Sequence, residues 1–111
     1  MKYSTSELYN AAVISFKGKL MGGPEAQDFH NTVSSFLAEG KKNIIVEMSD
    51  VKFVNSSGIG NIVRAFSTVK DAGGELKLAG VTDKIEGLLS ITKLNSVFSQ
   101  YPTVDEAAKS F

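Results

Sequence analysis

The sequence contains no cysteine, no tryptophan, two prolines and a single histidine in 111 residues. Without cysteine there is no disulfide framework and no thiolate metal site. With His30 as the one imidazole, a histidine-built metal cluster is excluded as well. Charge of one sign is also missing: 12 Lys and Arg balance 12 Asp and Glu, so the formal net charge is zero. A neutral chain with no basic block lacks the electrostatic footprint of a nucleic-acid binder. The opening MKYSTSELYN has no signal-peptide apolar core, and no run is long enough to span a bilayer. The expectation is a cytoplasmic protein that needs no cofactor and no metal and meets neither membrane nor nucleic acid.

What is present suits one domain over residues 1–111, since 42% hydrophobic residues supply one continuous core and no repeat or linker divides the chain. Residues from Met1 to Phe16 read as strands with a turn at Asn10, and Val13 to Phe16 is β-branched and aromatic. Gly18, Gly22 and Gly23 break that pattern, and Pro24 suits a first helical turn. Ala26, Phe29, Val33, Phe36 and Leu37 then recur at helical spacing, up to a C-terminal cap at Gly40. Asn43 to Met48 contains IIV, the signature of a strand buried on both faces. Ile59, Ile62, Val63, Phe66 and Val69 form a second helical stripe that stops at Gly73 and Gly74. Glu75 to Ala79 reads as a strand, and Thr82 caps a helix over Asp83 to Leu89. Thr103-Val104-Asp105-Glu106 fits a capping box in which Glu106 reaches back to Thr103. Strands alternate with helices, which predicts an α/β or α+β domain with a mostly parallel central sheet.

One stretch, VKFVNSSGIGNIV from Val51 to Val63, combines a strand exit, a polar knot and a helix start. A helix cap accounts for its composition, because an Asn55 or Ser56 oxygen accepts an orphan N–H for about 1 kcal/mol. A hydrolase elbow does not fit: Val54-Asn55-Ser56-Ser57-Gly58 lacks the leading glycine of G-x-S-x-G, and nothing ties His30 to Ser56. A dinucleotide fingerprint does not fit either, since Gly58-Ile59-Gly60-Asn61-Ile62-Val63 ends in Val where a small residue is required. A phosphorylation site is compatible, because a dianion at a helix N-terminus meets free N–H groups and the positive dipole end. Gly58 and Gly60 would leave room for a modifying enzyme. Cap and phosphosite both remain open on these grounds.

The longer segment IIVEMSDVKFVNSSGIGNIVRAF resembles the core of the STAS family, typified by bacterial anti-sigma factor antagonists. The family pattern is a buried strand, a phenylalanine-containing turn, Asp-Ser-Ser-Gly-Leu-Gly and an amphipathic helix. GGELKLAGV resembles the next strand, and KIEGLLSITKLNSVFSQYPTVDEAA the closing helix, strand and helix. The resemblance implies a small mixed, mostly parallel sheet flanked by about four helices, and a protein that is not an enzyme. It implies partner switching: the unphosphorylated antagonist binds an anti-sigma factor serine kinase of the ATP-binding histidine-kinase-like fold. That kinase phosphorylates the serine here numbered Ser56, and a metal-dependent serine phosphatase resets it. The partner-binding candidates are Met21, Gly22, Gly23, Asn55, Ser56, Ser57, Gly58, Ile59, Gly60 and Ile62. For Ile59 and Ile62, burial in the core is the competing expectation.

Three positions depart from the family pattern. Asn55 replaces the motif's Asp, Glu47 replaces the strand Asp, and Gly18-Lys19-Leu20-Met21 stands where Gly-Glu-Leu-Asp is common. Asn55 and Met21 favour a second reading, a constitutive docking or scaffold module without a phosphate cycle. A small-molecule or nucleotide sensor using the loop as an anion cradle ranks last, because no Lys or Arg lies within the loop.

Overall fold

In the computed structural model, which describes residues 2–8 and 10–111, a 12-residue strand forms the centre of a five-stranded sheet. The elements in chain order are β1 (Lys2–Glu7), β2 (Ala12–Leu20), α1 (Glu25–Ala38), β3 (Asn43–Val54), α2 (Ser56–Asp71), β4 (Glu75–Ala79), α3 (Asp83–Ile91), β5 (Ser99–Tyr101) and α4 (Val104–Lys109). The spatial order follows the sequence, β1-β2-β3-β4-β5, with β1 antiparallel to β2 and every other pair parallel. The expected strand start at Met1 lies outside the described residues.

The apolar run of β3 explains the layering. Successive side chains point to opposite faces of a sheet, so Ile44, Val46 and Met48 enter one core and Ile45 the other. Helices α1, α2 and α3 cover the first face with Phe29, Val33, Ile59, Ile62, Ile85 and Leu89. The short α4 covers part of the second with Ala107 and Ala108, against Val13, Ile45 and Ala79. On the first face Phe16 meets Phe29 edge-on at 5.1 Å between ring centroids. The Tyr3 hydroxyl donates to Asp28 over 2.6 Å and makes a second hydrogen bond with the Thr32 hydroxyl over 2.7 Å, tying the edge strand to α1.

Two strands run further than the sequence pattern suggests. β2 continues through Gly18 (φ +70°) to Leu20, with register shifts beside Lys17 and Lys19. The bulges absorb the left-handed residue without ending the pairing. β3 continues past Met48 to Val54, where it still pairs with Leu20, while its pairing with β4 ends at Glu47. The caps behave more simply: Thr82 accepts from the Ile85 N–H, and Thr103 accepts from the Glu106 N–H over 3.2 Å. That bond is one half of the expected capping box.

Candidate functional site

Because β2 and β3 end side by side, the two chain exits they feed are neighbours. Leu20 leads through Met21–Pro24 into α1, and Val54 leads through Asn55 into α2. The Asn55 N–H donates to the Leu20 carbonyl over 3.3 Å, stitching the exits together. Asn55 has the extended backbone of an N-cap (φ −133°, ψ 176°), and its Oδ1 accepts from the Gly58 N–H over 2.9 Å. Asn55, rather than Ser56, is therefore the cap. Ser56 becomes the first residue of α2, and both serines are exposed.

The glycines divide into two kinds. A Cβ on Gly58 would stand 1.9 Å from the Leu20 carbonyl oxygen, so the helix mouth docks on the strand end only with glycine there. A Cβ on Gly22 would stand 2.8 Å from the Ser57 Cβ, so the Met21–Gly23 loop lies against Ser57. Gly60 has nothing within 4 Å of its Cβ position and faces outward. Ser56 and Ser57 are thus unequal: the second is backed by the neighbouring loop.

The structure brings most of the expected residues together at one surface: half-buried Met21 and exposed Gly22, Gly23, Asn55, Ser56, Ser57 and Gly60. Three do not belong to it. Ile59 and Ile62 are 2% and 1% exposed, holding α2 to the core, and Gly58 is buried under Leu20. For Ile59 and Ile62 this is the core burial that competed with docking as an expectation, since α2 is amphipathic and their side chains fill its inner face. Glu47 also lies apart from the serines. Its Oε1 accepts from the Ser49 N–H over 2.8 Å and sits where a Gly80 side chain would clash, so it satisfies the irregular stretch of β3.

The first turn of α2 carries no acidic residue, so the positive end of its dipole is uncompensated. Among the described residues no group of three or more His, Cys, Asp and Glu is arranged to hold a metal ion. No described helix is long and apolar enough to cross a membrane. Two features escaped the sequence reading. His30 is buried, with its Nε2 lacking any hydrogen-bond partner. Burial first, and then the Arg64 charge, push its pKa below 6.5. Phe53, two residues before the cap, is 54% exposed.

A mixed five-stranded sheet, helices on both faces and a capped serine pair at the exit of its central strand define a small α/β domain of the STAS class. The chain matches the STAS domain family over residues 3–107 and belongs to it. A Thermotoga neapolitana homologue of the protein TM1081 is 35% identical over 72 residues, 65% of this chain and 64% of that protein. The Bacillus subtilis (strain 168) anti-sigma-B factor antagonist is 34% identical over 74 residues, 67% of this chain and 62% of that protein. The matches thus span less than two thirds of these relatives' own length. The NMR structure of TM1081 superposes with a TM-score of 0.86 at 25% identity, covering 98% of this chain and 87% of the other. SpoIIAA, an anti-sigma factor antagonist solved in its unphosphorylated form, shares the fold with a TM-score of 0.83 at 16% identity, covering 98% and 95%.

Proposed function

We propose that this chain is an anti-sigma factor antagonist that works by partner switching, with Ser56 as the phosphate acceptor. The observation that carries the reading is the placement of Ser56: exposed, first in α2, beside a cap made by another residue. Its hydroxyl is not needed for the cap, so a phosphate there leaves the fold intact. The added charge of about −1.5 to −2 meets the uncompensated helix dipole rather than a carboxylate. The consequence falls on the docking partner, whose contacts with the Met21–Gly23 loop and the outer face of α2 change. The names of the relatives support the same role, and SpoIIAA has been solved in both unphosphorylated and phosphorylated forms.

The chain then acts as substrate and binding module with no catalysis of its own. Its unmodified form engages an anti-sigma factor kinase, and a metal-dependent serine phosphatase restores that form. A hundredfold loss of affinity on phosphorylation corresponds to about 2.7 kcal/mol. Calorimetric titration of the cognate kinase with both forms tests this, and equal affinities would remove the switch.

The second reading, a constitutive STAS docking module, is favoured by the uncharged Asn55 cap and by half-buried Met21 in the family's acidic position. It expects kinase-family binding without modification. A nucleotide-sensing role expects a rise in unfolding temperature with a nucleotide panel, because a ligand bound only by the native state stabilises it.

A further inference from the structure

Ser56 and Ser57 are both exposed and both lie in the first turn of α2, so water and the helix dipole reach the two hydroxyls alike. What separates them is the chain that crosses the helix mouth. A Cβ on Gly22 would stand 2.8 Å from the Ser57 Cβ and 3.6 Å from its Oγ, and the three atoms nearest that position all belong to Ser57. The contact falls on the Ser57 Cβ, so turning the hydroxyl to another rotamer does not remove it. Successive helical residues point about 100° apart, so a loop seated on Ser57 does not thereby cover Ser56.

Neither side of this contact draws back freely. The helix mouth is held by the Asn55 N–H on the Leu20 carbonyl over 3.3 Å and by the approach of Gly58 to the same carbonyl. The Met21–Gly23 loop leaves from that same leucine. Its far end is tied to α1, where the Gly23 carbonyl accepts from the Ala26 N–H over 3.1 Å. Gly23 has φ +151°, a backbone conformation that favours glycine, so the two glycines answer different needs: space at Gly22 and chain path at Gly23.

Phosphoryl transfer asks more of a hydroxyl than contact with water. The serine Oγ forms a bond to the γ-phosphorus of ATP while the bond from that phosphorus to the β–γ bridging oxygen breaks; ADP leaves and the hydroxyl proton passes to a base or to solvent. Attacking and leaving oxygens stand roughly in line, so the kinase site must close around the acceptor oxygen. A backbone seated on the Ser57 Cβ occupies part of that space. We propose that the Met21–Gly23 loop, through Gly22, selects the phosphate acceptor, barring Ser57 and leaving Ser56 as the hydroxyl that is used. The inference rests on the partner-switching reading above and adds the residue that decides between the two serines.

The test is phosphorylation by the cognate kinase with ATP, read as initial rate and mapped site, with unfolding midpoints as folding controls. Three proteins are compared: wild type, Ser56→Ala, and Ser56→Ala with two glycines inserted between Met21 and Gly22 to slacken the loop. Wild type is expected to take phosphate on Ser56. Ser56→Ala is expected to use Ser57 on the order of a hundredfold more slowly, the scale of a misplaced reacting group. That fall is expected in kcat with KM kept, which separates barred chemistry from lost docking. The insertion is expected to return about tenfold or more of the rate at Ser57. Use of Ser57 at the wild-type rate in Ser56→Ala, a result that needs no loop change, overturns the selection and leaves the switch intact. A folded insertion variant with Ser57 as slow as before overturns it too. A wild-type chain that takes no phosphate overturns the selection and the switch together.

Discussion

Gly58 and Leu20 stand so close that a Cβ on the glycine would lie 1.9 Å from the leucine carbonyl oxygen. This approach sets the mouth of α2 on the end of β2, and it places the serines beside the Met21–Gly23 loop. Gly58→Ala must push backbone against backbone, so it is expected to destabilise the protein by roughly 1–3 kcal/mol or more, the range of overpacking. Gly60→Ala meets open space inside the same helix and is expected to stabilise by roughly 0.8–1 kcal/mol. Urea denaturation of the two variants checks the contrast, and equal effects would contradict the distinction between the two glycines.

The cap gives a second prediction. Asn55→Ala removes the acceptor of the Gly58 N–H and is expected to cost about 1 kcal/mol. Asn55→Asp keeps the acceptor and places a negative charge at the helix N-terminus, a gain of about 0.3–1 kcal/mol near neutral pH. That gain disappears as the new carboxyl is protonated in acid. An Asp variant less stable than the Asn parent at pH 7 would count against the cap geometry.

Burial of His30 predicts a pH dependence. Its folded-state pKa is lowered, first by desolvation and then by the Arg64 charge. The unfolded chain therefore binds the proton more readily than the folded one. The stabilisation linked to this group is fully present above the ordinary value of 6.5 and is lost as pH falls from there through the folded pKa. Urea midpoints of the wild type are expected to fall between pH 7.5 and pH 5.5, and those of His30→Leu to fall less. Parallel profiles for the two proteins would show that the imidazole is not the group responsible.

The second face of the sheet supplies a prediction of its own. Lys77, 6% exposed, donates through Nζ to the Ser110 carbonyl over 2.9 Å and to its Oγ over 2.6 Å. The same ammonium stands 4.3 Å from the centre of the Phe111 ring. A six-residue helix such as α4 is not stable alone and depends on these anchors. Lys77→Met keeps the apolar stem and removes bonds worth roughly 1.5–3 kcal/mol. Amide exchange in α4 is expected to accelerate while the first turn of α2 is unaffected. Unchanged α4 protection would mean that the packing of Ala107 and Ala108 and the bond from the Asn10 side chain to the Ala108 carbonyl hold it without Lys77.

Much of this architecture was legible where side chain and backbone agree locally. Thr82 and Thr103 cap the helices they precede, Asn55 was among the residues expected to cap α2, and the IIV run marks the central strand. The illegible parts depend on partners distant in sequence. β2 outlasts Gly18 because β3 runs beside it, and β3 outlasts Met48 because β2 does. The same extension carries Phe53 beyond the end of the β3–β4 pairing, so it pairs with a strand on one side only, at Lys19 of β2, and its ring is exposed. His30 lies on a helix face that amphipathic spacing alone does not separate from solvent, yet it is buried, its ring 5.5 Å from that of Phe29 and within the field of Arg64. At the serine stretch, the sequence left the geometry of Ser56 and Ser57 undistinguished, and only the docking of Gly22 on Ser57 separates the two hydroxyls.

Whether the switch operates is read from intact mass with site mapping, on protein purified from its native cells with phosphatase inhibitors present. One phosphate, on Ser56, is the expected result. Phosphate on Ser57 instead, or none even after incubation with the cognate kinase and ATP, would contradict it.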